Sequence, residues 1–386
     1  PVNGFSQGSV NDAERSRGLA ARVVASDRAQ RFRLDAGFSR SRFTSPPDPL
    51  LNQGRDVKQL PSVARNARYL DASYDILRDL PLTKEKRVNL SLALRHERVD
   101  PLYRSLGAST QADKASNDFS VTGSVGEISA QFTHGRFTDN LRNIPSILKS
   151  FTRASTFSTG APLASLFAAS GQPSPFLPRV SYTVNRLGQF GAAIPVRGGF
   201  ELDPSSIPDQ LSTGQSITAD WQIKQWRLGY RLNHSFQNNR QPQREAADFA
   251  SLVNGFTVGV SPSDSLDLNV DISAESAANR EAEAVDRTFR LAPAVNWRMT
   301  RHATFASNLS ITLAGDEART RQNRNVEFDV QWVYRFGVER DRFRKVQGQF
   351  FIRYANRCAR IRNDASGPVD LQKTQIVNLG LSINLF

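Results

Sequence analysis

The chain has 386 residues, a net charge of +13 from 50 Lys and Arg against 37 Asp and Glu, and a mean hydropathy of -0.44. Such a length allows two or three ordinary domains. Hydrophobic residues at 39% are too few for a bundle of membrane-spanning helices, and the longest uncharged run, Ala154 to Pro178, is interrupted by Pro162, Pro173 and Pro175, which excludes a transmembrane helix there.

Most of the chain repeats one pattern, about ten residues alternating apolar and polar followed by a polar connection, and a period of two marks strands. In chain order the predicted strands are Leu19–Ser26, Arg31–Phe43, Ala67–Leu77, Arg87–Val99, Phe119–Val125, Ile128–Phe137, Arg179–Asn185 and Phe190–Gly198. They continue with Ile217–Ile223, Trp226–Phe236, Gly255–Val260, Leu266–Ala274, Arg287–Arg298, Ala303–Leu313, Val326–Phe336, Val346–Asn356 and Gln375–Phe386. A tight turn is expected at Arg186–Gln189, and an eighteenth strand either in residues 1–18 or upstream, because closed bacterial barrels have even strand numbers.

The connections alternate in length. Gly126-Glu127, Lys224-Gln225, Ser261–Asp264 and Met299–His302 are short, whereas Thr44–Arg65, Asp100–Asn117, Gln237–Phe249, Glu275–Asp286, Ala314–Arg324 and Arg357–Thr374 are long and polar. An up-and-down barrel with tight turns at one rim and loops at the other keeps this alternation, and a Greek-key sandwich does not. All four tryptophans, Trp221, Trp226, Trp297 and Trp332, lie near short turns, as a girdle at a membrane interface requires. Ten residues at about 3.3 Å each, tilted by about 45°, span roughly 23 Å of bilayer.

The last residues, Ile376-Val377-Asn378-Leu379-Gly380-Leu381-Ser382-Ile383-Asn384-Leu385-Phe386, complete the picture. With them the chain resembles the bacterial outer-membrane β-barrel superfamily from about Gly18 to Phe386. Glu97 to Gly107 is also similar to segments of large barrels of unassigned function. The resemblance implies an all-β, transmembrane, antiparallel up-and-down β-barrel of about eighteen strands, short turns periplasmic and long loops extracellular. It also implies a location in the outer membrane of a Gram-negative cell envelope, contact with its lipid and lipopolysaccharide, and Phe386 as the signal read by the barrel-assembly machinery. Phe386 departs from the usual pattern by standing one residue out of phase with Val377, Leu379, Leu381, Ile383 and Leu385. Residues 1–18 are then an N-terminal segment, either a first strand or the end of a lost upstream region, and residues 19–386 form the barrel. The start at Pro1, with no apolar signal core after it, reads as a processed or truncated form.

The polar phase carries Arg31, Arg33, Arg87, Arg95, Arg227, Arg231, Arg290, Arg298, Arg335 and Arg353, interleaved with Asp35, Glu97, Asp220, Asp267, Asp271, Glu327 and Asp329. Guanidinium groups lining a lumen favour anions, and cross-strand pairing with the carboxylates is the competing use. The longest connection, Thr138–Pro178, is expected to be an apolar loop. Asn143-Ile144-Pro145 opens a helix there, with Ile144, Ile147, Leu148 and Phe151 as its stripe and a second patch at Leu163, Leu166 and Phe167, which plugs the lumen or contacts other envelope proteins. None of the four histidines, His96, His134, His234 and His302, has a defensible Ser or carboxylate partner, so catalysis is not expected. A single cysteine, Cys358, excludes a disulfide framework and a thiolate metal site. No cofactor, metal or nucleic-acid partner is expected. The expected function is a porin-like channel for transport, or an export pore, with an Arg-rich lumen favouring anionic solutes or polymers. The alternative is a structural barrel that anchors an envelope assembly.

Overall fold

In a computed structural model, the structure describes residues 15–44, 63–83, 86–103, 111–144, 148–167, 176–193, 207–244, 246–318, 320–341, 344–363 and 367–385. They form one antiparallel up-and-down sheet of seventeen strands. The strands are β1 (Arg15–Ser26), β2 (Phe32–Thr44), β3 (Val63–Pro81), β4 (Arg87–Val99), β5 (Lys114–Val125), β6 (Ile128–Thr138), β7 (Lys149–Pro162), β8 (Arg179–Ala193) and β9 (Asp209–Ile223). They continue as β10 (Trp226–Asn239), β11 (Phe249–Ser263), β12 (Leu266–Asn279), β13 (Ala284–Arg298), β14 (Ala303–Asp316), β15 (Gln322–Asp341), β16 (Arg344–Arg362) and β17 (Val369–Leu385). Among the described residues the one helix is the single turn α1 (Leu163–Phe167).

The chain divides into two compact units, residues 1–157 with 186–211, and residues 158–185 with 212–386. In the first, β1 to β6 pair in sequence order. Directly opposed residues share a face, so the register sorts side chains. Phe32 stands opposite Tyr74, Tyr74 opposite Leu92, Leu92 opposite Val121 and Val121 opposite Phe132 on one face. Asp35, Asp71, Arg95 and Asp118 make the matching row on the other.

In the second unit, β10 to β17 pair consecutively in the same way. An apolar row runs Leu266, Trp297, Phe305, Trp332, Ile352, Leu379 from β12 to β17. Trp332 stacks on Tyr334 with ring centroids 6.0 Å apart and meets Phe350 edge-on at 6.1 Å. Little of this apolar surface is buried: Leu379 is 68% exposed, Val377 64% and Leu381 62%, and in the first unit Leu19 is 74%. Among the described residues the buried apolar side chains are only Val99, Tyr103, Ala164, Ala219 and Ala303.

Three expectations are corrected. First, Arg179–Asn185 and Phe190–Gly198 are not two strands; β8 runs unbroken from Arg179 to Ala193, and residues 194–198 lie outside the described residues. The expected turn at Arg186–Gln189 does not form: the chain stays extended through Gly188, which takes no positive φ, whereas Gly126 in the β5–β6 turn does.

Second, Thr138–Pro178 is not one loop, since β7 occupies its middle. Its sequence KSFTRASTFSTGAP alternates Ser and Thr with a few Phe and Arg, so the period-two contrast is weak although the residues suit a strand. The expected helix from Asn143 would run through residues 145–147, which lie outside the described residues. Asn143 has φ 52, and Asn140 accepts from the Ile144 amide at 2.8 Å and donates to the Ile144 carbonyl at 3.0 Å. Missing β7 and splitting β8 cancel, so the total of seventeen is reached by compensation.

Third, the long connections are shorter than expected. The breaks at residues 280–283, 317–321 and 363–368 replace the expected Glu275–Asp286, Ala314–Arg324 and Arg357–Thr374. Pairing continues past the apolar belt where both faces are polar, and hydropathy cannot register it.

Candidate functional site

All the argininines expected on the polar phase that lie within strands stand on the face opposite the apolar belt of their own unit. In the first unit these are Arg33, Arg87 and Arg95, while Arg31 lies in the connection before β2. In the second they are Arg227, Arg231, Arg290, Arg298, Arg335 and Arg353.

Carboxylates hold some of them. Arg353 makes two bonds to one Asp329 oxygen, from Nε at 2.8 Å and Nη2 at 2.7 Å. Arg227 pairs with Asp267, whose carboxylate also accepts from Ser261. Arg95 stands 3.6 Å from Glu97, which Lys114 also approaches at 3.7 Å. Arg31, Arg33, Arg87, Arg231, Arg290, Arg298 and Arg335 form no ion pair among the described residues. Arg298 spends one guanidinium N–H on the Asp264 carbonyl at 3.0 Å.

The local sequence makes room for these groups. Arg227 and Arg231 lie across β11, where a Cβ on Gly259 would come 3.1 Å from the Arg227 Nε and one on Gly255 would come 3.5 Å from the Arg231 guanidinium. A cavity of about 540 Å³ opens beside them, lined by Arg179, Thr218, Asp220 and Thr257 among others. A second, of about 380 Å³, is bordered by His302, Arg335, Gln349 and Ser382.

Sequence reasoning missed the strongest cluster of the first unit. Arg22 grips Asp35 with two bonds, at 3.0 and 2.6 Å, and the Tyr69 hydroxyl donates to the same carboxylate at 2.9 Å. Tyr69 reaches it by lying over Gly37, where a Cβ would meet its ring at 2.1 Å. The signal was available, because Arg22 stands out of phase with Leu19, Ala21 and Val23. Tyr103, from the β4–β5 connection, also folds over this face, with its hydroxyl 2.7 Å from Ser39; Tyr103 is buried, as is Val99 at the end of β4.

The structure places three of the expected plug residues. Phe151 belongs to β7 and stacks on Phe190 at 5.2 Å, Leu148 approaches the position a Cβ would take on Gly191, Ile144 is bonded to Asn140, and Ile147 lies outside the described residues. Trp226, Trp297 and Trp332 share the apolar face of their unit, Trp221 precedes the short turn at Lys224-Gln225, and Phe386 lies outside the described residues.

Among the described residues no histidine joins a serine and a carboxylate in one hydrogen-bonded arrangement. His134 has its Nδ1 2.8 Å from Ser155 Oγ, and its Nε2 accepts from Arg136 Nε at 3.2 Å. A ring accepting at Nε2 carries its proton at Nδ1, so it donates to Ser155 and cannot deprotonate it. His96 is bonded to Asn117 at 2.7 Å on the same apolar face.

No family model and no curated protein matches the chain. Among solved structures it is similar to OccAB4 of Acinetobacter baumannii, with 8% identity, a TM-score of 0.30, and coverage of 92% of this chain and 97% of that one. A structure described under asymmetric conductivity of engineered proteins gives 10% identity, a TM-score of 0.23, and coverage of 86% and 94%. A mutant of the Rh. blastica porin gives 10% identity, a TM-score of 0.22, and coverage of 87% and 94%.

Proposed function

We propose that the chain forms a membrane-spanning β-barrel of the bacterial outer membrane and acts as a channel whose charged face lines the pore. The observation that carries this reading is the separation of faces. One face presents Leu, Val, Ile and aromatic side chains to the surroundings with relative exposures that are far from those of a soluble protein's core. The other presents guanidinium groups interleaved with carboxylates. Lipid against the first and water against the second satisfies both.

The finer part of the proposal is a preference for anionic solutes. Arg231, Arg290 and Arg335 support it, because they lack carboxylate partners among the described residues and each adds one positive charge to the wall. The test is single-channel conductance in planar bilayers under a salt gradient. An anion-biased zero-current potential is expected, falling toward neutrality when Arg231, Arg290 and Arg335 are all replaced by Gln. A silent bilayer despite inserted protein would instead favour a structural barrel that anchors an envelope assembly. Insertion through the barrel-assembly machinery, and contacts with other envelope proteins through residues 138–178, belong to the same proposal.

A further inference from the structure

The cavity of about 540 Å³ beside Arg227 and Arg231 is lined by residues of the second unit and holds charges of both signs. Its charged lining residues are Arg179, Asp220, Arg227 and Arg231. Arg227 is held by Asp267, and the neighbouring Thr257 hydroxyl donates to Asp271 at 3.2 Å. Arg179, Asp220 and Arg231 are exposed, and among the described residues they form neither an ion pair nor a side-chain hydrogen bond. Two bases and an acid therefore border one cavity without neutralising each other.

Two glycines account for this. The register sets Gly229 opposite Thr257 and Arg231 opposite Gly255, all four on the polar face. A Cβ on Gly229 would stand 3.4 Å from an Asp220 carboxylate oxygen, and one on Gly255 would stand 3.5 Å from Arg231 Nη2. Asp220 thus lies over bare backbone of β10, and Arg231 over bare backbone of β11. Opposite charges on a sheet ordinarily close up across the strands. Here each leans onto a different glycine, and the space between is left to a ligand.

We propose that this cavity binds zwitterionic solutes of the short-peptide class, with the peptide carboxylate on Arg231 and Arg179 and the peptide ammonium on Asp220. The inference rests on the channel reading above and deepens it, from anions in general to solutes that carry both charges. A simple anion satisfies the guanidinium groups and is repelled by Asp220; a simple cation meets the reverse. Only a molecule with both ends replaces water at all three groups with charge-assisted hydrogen bonds. An extended dipeptide spans about 7 Å, which a cavity of this volume accommodates.

The full chain would be folded in detergent, and the binding of diglycine, N-acetyl-diglycine and diglycinamide would be titrated by saturation-transfer NMR at about pH 6.5. Diglycine carries both charges there, the acetylated peptide only the carboxylate and the amide only the ammonium. Diglycine is expected to bind at least about threefold more tightly than either blocked form. Asp220→Asn should remove its advantage over the acetylated peptide, and replacing Arg179 and Arg231 by Gln should remove its advantage over the amide. Equal binding of diglycine and the acetylated peptide overturns the proposal and leaves a simple anion site. Unchanged diglycine binding in Asp220→Asn, or no binding of any of the three, overturns it too. Heat-modified mobility in SDS gels checks the folded state; should a variant not fold, the three-peptide comparison on the unaltered chain decides alone. Anion-biased conductance without a preference for diglycine overturns this inference and leaves the channel reading standing. Silent bilayers overturn the channel reading, and the titration in detergent still decides the site.

Discussion

Arg227 and Arg231 lie four residues apart on the same face of β10 and serve different purposes. Arg227 is occupied by Asp267, while Arg231 lies over Gly255 without a carboxylate. Replacing Asp267 or Asp329 by Asn should unmask a guanidinium and move the zero-current potential toward stronger anion preference, and Arg231→Gln should move it the other way. If none of the three moves it, this face does not line the conducting path. On the opposite face, Trp332→Ala removes two aromatic pairs worth about 0.5 to 1.5 kcal/mol each, so urea unfolding in lipid should register a loss of about 1 to 3 kcal/mol. The face of each strand arginine was legible because a strand sends alternate side chains to opposite faces. Which arginines are neutralised was not, since Arg227 and Asp267 are brought together only by the register of two hairpins.

Strands with strong contrast between their two phases were read well from sequence. β4 matches its expected limits, Arg87–Val99, and β10 begins at the expected Trp226. Contrast fails in two places for separate reasons. β7 is rich in Ser and Thr on both phases, and the ends of β12, β14, β15 and β16 leave the apolar belt while their ladders continue. Backbone hydrogen bonding needs no apolar side chain, so the ladder outlasts the pattern. Ala154→Pro in β7 removes one ladder donor and should abolish the heat-modifiable folded form, whereas a surface loop would tolerate it. An unchanged mobility shift in that variant would return residues 149–162 to a loop.

Across the molecule, connection length and side-chain chemistry vary together. In the second unit the ends with breaks at 224–225, 264–265 and 299–302 carry the tryptophans, and the ends with breaks at 240–248, 317–321 and 363–368 carry Arg324, Arg360 and Arg362. With Cys358 replaced by Ser, a cysteine at Ala282 should react with a membrane-impermeant maleimide on intact cells, and one at Lys224 only after the outer membrane is permeabilised. The reverse result would invert the orientation. Within β1–β6 and within β10–β17, each register also joins strands that follow one another in sequence. From β10 to β17 each newly placed strand therefore finds its partner no more than nine residues further along the chain, so loop-closure entropy is small at each of these steps and the hairpins can zip in order, as slower Greek-key sheets cannot. The connection at residues 163–178, between β7 and β8, is the long exception on the side of the short turns, and it is where such stepwise growth should pause.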